Sequence, residues 1–121
     1  MARVLIVDDS PTELHVLRRL LEKHGHQILL AHDALQGIDL ARRERPDLIL
    51  MDVVMPGMSG FQATRKLSRD QETATIPVFM VTSKNQESDR IWGLRQGAVD
   101  YVLKPVQEHD IIPKMKAVLG S

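Results

Sequence analysis

The sequence predicts an α/β protein, a doubly wound five-stranded parallel sheet of order 2-1-3-4-5. Two observations predict it. Five short runs are apolar at every position rather than at alternate ones, the pattern of strands covered on both faces. Helix-sized segments separate the runs, and a strand–helix unit repeated in sequence closes, through right-handed crossovers, into an open sheet flanked by helices.

The first strand is Val4 to Val7. Ser10-Pro11-Thr12-Glu13 then opens a helix with a Ser N-cap, Pro at the first helical position and a Glu placed to complete a capping box. Leu14, Leu17, Leu20 and Leu21 form its buried stripe, and Gly25 ends it. Ile28 to Ala31 is the second strand, and a helix from about Ala34 to Glu44 stops before Pro46. The third strand is Leu48 to Met51. Ser59-Gly60-Phe61-Gln62 is a second capping-box pattern, opening a helix with Phe61, Thr64 and Leu67 on one side. Pro77 precedes the fourth strand, Val78 to Val81. The fourth helix, about Gln86 to Gln96, is expected to turn Ile91 and Leu94 inward and to end at Gly97. Tyr101 to Leu103 is the last strand. Pro113 is poorly suited to a helix interior, so Asp110 is expected to cap the fifth helix with Pro113 in its first turn.

One domain spanning residues 1–121 accounts for the whole chain, with no output domain expected after Leu119-Gly120-Ser121. Sixteen basic and sixteen acidic residues give zero formal net charge, so no global field draws the chain to nucleic acid or anionic lipid. Protein partners are the expectation. The absence of cysteine rules out disulfides, thiolate metal sites and a cysteine nucleophile, and fits a reducing compartment, hence the cytoplasm. Val4 to Val7 is too short for a signal-peptide core or a membrane span.

In this topology ligands collect at the carboxyl ends of the first and third strands. The polar residues placed there are Asp8 and Asp9 after the first strand, Asp52 after the third, Thr82 after the fourth and Lys104 after the fifth. An Asp at a strand end is often a turn former or helix cap, but Ser10 already fills the cap. Thr82 alone could be an ordinary strand residue, and Lys104 a surface lysine before Pro105. Their coincidence at four strand ends is the signal. Three gathered carboxylates repel one another, so the arrangement makes sense if a cation occupies it. Oxygen ligands favour Mg²⁺, which leaves coordination positions open for a phosphate oxygen.

Val4 through Ser10-Pro11, Met51-Asp52-Val53-Val54-Met55-Pro56-Gly57 with Gly60, Val81-Thr82-Ser83 and Asp100-Tyr101-Val102-Leu103-Lys104-Pro105 together resemble response-regulator receiver domains, the flavodoxin-like receiver fold of the chemotaxis regulators. The resemblance covers essentially the whole chain. It implies that Asp52 is the phospho-acceptor, Asp9 a direct Mg²⁺ ligand, Asp8 a ligand through water, and the Val54 carbonyl a further ligand. It further implies that Thr82 and Lys104 contact phosphoryl oxygens, that Tyr101 is the switch aromatic beside Thr82, and that Lys104-Pro105 is cis. The expected donor is the phosphohistidine of a sensor histidine kinase, and the output is altered protein binding at the face of the fourth helix, fifth strand and fifth helix. The chain is read as a stand-alone, monomeric two-component regulator. It is not a turnover enzyme, but catalyses its own phosphorylation and slow dephosphorylation, since Val54 and Lys84 offer no obvious water activator. Gly60 through Arg65 and Gln86 through Ala98 are most similar to receivers of type IV pilus, twitching-motility systems. The alternatives are a receiver excised from a larger regulator and a pseudo-receiver that is never phosphorylated. An aspartate-nucleophile phosphatase would need a second acid where Val54 stands, and a flavin mononucleotide carrier would be repelled by Asp8 and Asp9.

The remaining features have plainer readings. His15, His24, His26, His32 and His109 lack a ligand spacing and are expected to be surface imidazoles. Arg42, Arg43 and Arg45 are read as partners of a helix's negative pole, and Trp92 as packing at the core's edge.

Overall fold

The computed structural model describes residues 1–120. Its strands are β1 (Arg3–Val7), β2 (Gln27–Ala31), β3 (Leu48–Asp52), β4 (Val78–Thr82) and β5 (Asp100–Leu103). They pair in parallel in the order β2-β1-β3-β4-β5, as expected from the sequence. Between them run α1 (Pro11–Lys23), α2 (Ala34–Glu44), α3 (Gly60–Arg69), α4 (Glu87–Arg95) and, after β5, α5 (Glu108–Leu119).

The pleat sorts each all-apolar strand between two cores. Val4 and Ile6 of β1, with Leu48, Leu50, Phe79, Val81 and Val102, meet Leu14, Leu17 and Leu21 of α1 and Ile111, Ile112 and Met115 of α5. Leu5 and Val7, with Ile49, Met51, Val78, Met80 and Tyr101, meet Ala34, Ile38 and Ala41 of α2 and Ala63 and Leu67 of α3. Every residue of β3 and of β4 is buried, so the strands that end in Asp52 and Thr82 are the most firmly held in the sheet.

Local chemistry explains most boundaries. Ser59 accepts from the Gln62 N–H at 3.2 Å while the Gln62 side chain accepts from the Ser59 N–H at 2.9 Å, a complete capping box. At α1 the box is only half made. Ser10 Oγ accepts from the Glu13 N–H at 3.3 Å, but the Ser10 N–H is already donated to Asp8 Oδ1 at 2.9 Å, leaving nothing for the Glu13 side chain.

Three expectations are corrected. The cap of α5 is Gln107, not Asp110, and Pro113 lies inside the helix. Burial of Ile111 and Ile112 and the hold of Lys23 and His24 on Glu108 bring the helix in earlier, and the missing Pro113 donor falls on an exposed side. In α4, Ile91 and Leu94 are exposed, and Gly93 and Gln96 face inward instead. A Cβ on Gly93 would stand 3.1 Å from Met80 and 3.6 Å from Tyr101, so the helix approaches the sheet along its residue without a side chain, turning the bulky neighbours aside. Trp92 follows them and is 47% exposed rather than packed at the core's edge.

Candidate functional site

The carboxyl ends of β1, β3, β4 and β5 form one rim, and parallel register fixes what stands on it. Val7 pairs with Met51, Asp52 with Val81, and Thr82 with Leu103, so Asp8 and Asp52 arrive level, with Thr82 one residue and Lys104 two residues further toward the carboxyl edge. The Asp8 N–H donates to the Ala31 carbonyl at 3.1 Å and the Lys104 N–H to the Thr82 carbonyl at 2.8 Å, extending the sheet's bonding into the rim.

Ligand oxygens of Asp8, Asp9 and Asp52 all lie within 4.8 Å of one another. Asp8 and Asp52 are buried and Asp9 is exposed. Lys104 reaches over them, its Nζ donating to Asp8 Oδ2 at 2.8 Å and to Asp52 Oδ1 at 3.3 Å. With Oδ1 held by Ser10 and Oδ2 by Lys104, both oxygens of Asp8 are engaged. Asp9 forms no ion pair among the described residues. One ammonium therefore faces three carboxylates. Burial, the charge of Asp8 and, less strongly, that of Asp9 push the Asp52 carboxyl up to about 6 against the opposing pull of Lys104. Burial works against the Lys104 ammonium, but its hydrogen bond to Asp8 and the charge of Asp52 outweigh that, and its pKa is raised. An all-oxygen, net-negative cluster with an exposed carboxylate on one side fits a hard divalent cation of the Mg²⁺ kind.

Thr82 is buried and its Oγ1 accepts from the Lys84 N–H at 3.2 Å. Tyr101 is also buried and donates its hydroxyl to the Lys84 carbonyl at 2.8 Å. The sequence names Lys84 only as a position that offers no water activator; its backbone, which joins Thr82 to Tyr101, is signalled by no side-chain pattern. Gly60 belongs to the motif quoted from the sequence, but its steric role was not read there. A Cβ there would collide with the Asp52 carbonyl oxygen, so only glycine lets α3 begin this close to the end of β3. The Ser59-Gly60 pair at a helix start was the available signal. Asp8 as the partner of Lys104 was likewise not foreseen. Val54 lies two residues beyond Asp52 with its side chain 60% exposed, and the Lys104-Pro105 bond is cis.

The chain matches the response regulator receiver domain family over residues 4–116. It belongs to that family. Protein PilH of Pseudomonas aeruginosa is 59% identical over 121 residues, the match covering all of both chains. The phosphate regulon transcriptional regulatory protein PhoB of the same organism is 39% identical over 116 residues, and there the receiver spans 51% of the relative's length. Among solved structures, chemotaxis protein CheY4 of Vibrio cholerae superimposes with TM-score 0.91 at 28% identity, covering 98% of this chain and 99% of that one. The receiver domain of sensor histidine kinase PA1611 from Pseudomonas aeruginosa, with a magnesium ion coordinated in its active site cleft, gives TM-score 0.91 at 29% identity, covering 99% and 98%. This receiver thus sits among the chemotaxis-like and PilH-like members, a two-component signalling protein as the sequence implied. No helix among the described residues is long and apolar enough to cross a membrane.

Proposed function

We propose that this receiver is a stand-alone phosphorylation switch whose acceptor is Asp52. The observation that carries the reading is the convergence on that buried carboxylate of Lys104 Nζ at 3.3 Å and of two further aspartates, with ligand oxygens of all three within 4.8 Å. The donor is the phosphohistidine of a sensor histidine kinase. Its phosphorus–nitrogen bond breaks, a phosphorus–oxygen bond to the Asp52 carboxylate forms, and the imidazole leaves with the bonding electrons and takes up a proton. Burial at the end of β3 orients the nucleophile, and Lys104 neutralises charge gathering on the transferred oxygens. Asp9, Asp52 and the Val54 carbonyl would hold Mg²⁺ directly. Asp8, both of whose oxygens are engaged, would act through water. When bound, the ion supplies further charge neutralisation at the phosphoryl group.

Thr82 then offers its hydroxyl to a phosphoryl oxygen, and Tyr101 carries the change to the face of α4, β5 and α5, where a downstream protein binds. Dephosphorylation is slow, because Val54 brings no polar group to orient water. The 59% identity to PilH supports a role in pilus-based motility or chemotaxis, and the same proposal places the protein in the cytoplasm as a monomer.

Incubating the protein with a small acyl phosphate and Mg²⁺ and measuring its intact mass tests the reading. One phosphoryl group is expected on the wild type and none on Asp52→Asn. Equal labelling of both, or labelling without divalent cation, would overturn it. A phosphoryl lifetime of seconds would contradict the slow-release part.

A further inference from the structure

The largest of the described cavities, about 900 Å³, is not at the carboxylates but over α2 and α3. Arg65, Lys66 and Arg69 line it from α3, Arg42 from α2, and Met58 and Gln62 form its end toward the β3–α3 loop. Asp70 is its one carboxylate and is already spent on Arg42, whose Nε lies 2.7 Å from Asp70 Oδ2. That pair ties the end of α3 to α2 and sets the groove's width. In a chain with sixteen cations and sixteen anions, most cations find an acid: Arg3, Arg18, Lys23, Arg43, Arg90 and Lys114 all do. Arg65, Lys66 and Arg69 have no ion-pair partner among the described residues, yet they share one groove.

Attraction to the negative pole of α3 favours a cation in its last turn. It does not account for three around a single concavity, with a fourth held across from another helix. Gln62, Arg65, Lys66 and Arg69 are spaced i, i+3, i+4 and i+7, a straight stripe roughly 10 Å long. A compact polyphosphate needs donors converging on a point, and an open groove with exposed walls does not enclose a small ligand. A line of cations at helical spacing matches a second helix carrying carboxylates at the same spacing, each within reach of a forked guanidinium.

We propose that the α2–α3 groove docks an acidic helix of a partner protein, at a surface separate from the α4, β5 and α5 face. The proposal does not depend on phosphorylation and is tested on the unphosphorylated protein. The probe is a synthetic helical peptide with Glu at i, i+3, i+4 and i+7, compared with the same peptide carrying Gln, and binding is followed through backbone amide resonances at low salt. The Glu peptide should shift Arg42, Met58 and the Gln62 to Asp70 stretch, and the Gln peptide should not. The variant Arg65→Gln, Lys66→Gln, Arg69→Gln should bind about tenfold more weakly. A charge-matched variant, Arg19→Gln, Arg95→Gln, Lys116→Gln, should stay within about twofold of wild type. Equal weakening of the two variants would show diffuse attraction and overturn the proposal. So would an absence of shifts along α3, or a nucleoside triphosphate shifting these residues while the Glu peptide does not.

Discussion

Replacing Asp52 with asparagine is expected to stabilise the metal-free protein, because the site gathers like charges at the expense of stability. The carboxyl is 7% exposed and stands beside Asp8 and Asp9, which together with burial raise it from an ordinary 3.8 to about 6. Holding it ionised at neutral pH therefore costs about 3 kcal/mol relative to the unfolded chain. Asparagine keeps an oxygen for the Lys104 ammonium and drops the charge, so a gain of about 2–3 kcal/mol is expected. For 121 residues that raises the melting temperature by about 8–12 °C. The pH dependence has a definite sign. A carboxyl raised in the folded state contributes most below its unfolded value and loses that contribution as pH rises through the folded one. The gap between the two proteins should thus open between pH 3.8 and about 6 and stay open above. Excess Mg²⁺ should narrow it, since the ion binds the folded wild type more tightly than the variant. Calorimetry with chelator across that pH range checks this. A variant no more stable than wild type at neutral pH, or a gap indifferent to pH, would refute the electrostatic account.

Gly60→Ala should lose about 3 kcal/mol or more, because the new methyl meets the backbone of Asp52 rather than a yielding side chain; chemical denaturation measures it. Ser59→Ala removes one arm of the complete capping box and should lose about 1 kcal/mol by the same assay. Lys104→Met leaves Asp8 and Asp52 facing each other without a cation and should destabilise the metal-free protein at neutral pH by about 2–4 kcal/mol, less in acid; a pH series of melting curves decides. Tyr101 is the single tyrosine, and burial, with the charge of Asp89, pushes its hydroxyl up to about 12. Its contribution to stability is complete below about pH 10 and fades as pH rises toward 12, so phenolate absorbance in the folded protein should be absent at pH 10. Half-ionisation at that pH would show an exposed ring.

Strands and sheet order were readable because β1, β3 and β4 each hold four consecutive apolar residues, a pattern that suits a doubly covered sheet. The rim residues were readable for a related reason: Asp52 and Thr82 are polar residues closing apolar strands. Failure came where tertiary contact overrode local pattern. Ile91 and Leu94 looked like a buried stripe, but the close approach allowed by Gly93 decided which side of α4 faces the sheet. Pro113 looked like a first-turn residue until burial of Ile111 and Ile112 placed the helix start before it. The hydrogen bonds of Lys84 were invisible because they belong to its backbone, which every residue but proline shares.

In the proposed switch, that backbone is the route by which an event at the rim leaves it. Residue 84 is gripped at its amide by one hydroxyl and at its carbonyl by another, so displacing the first loosens the anchor of the second without any side chain at 84 taking part. In the proposed switch, the link between strand four and strand five therefore makes no demand on that side chain.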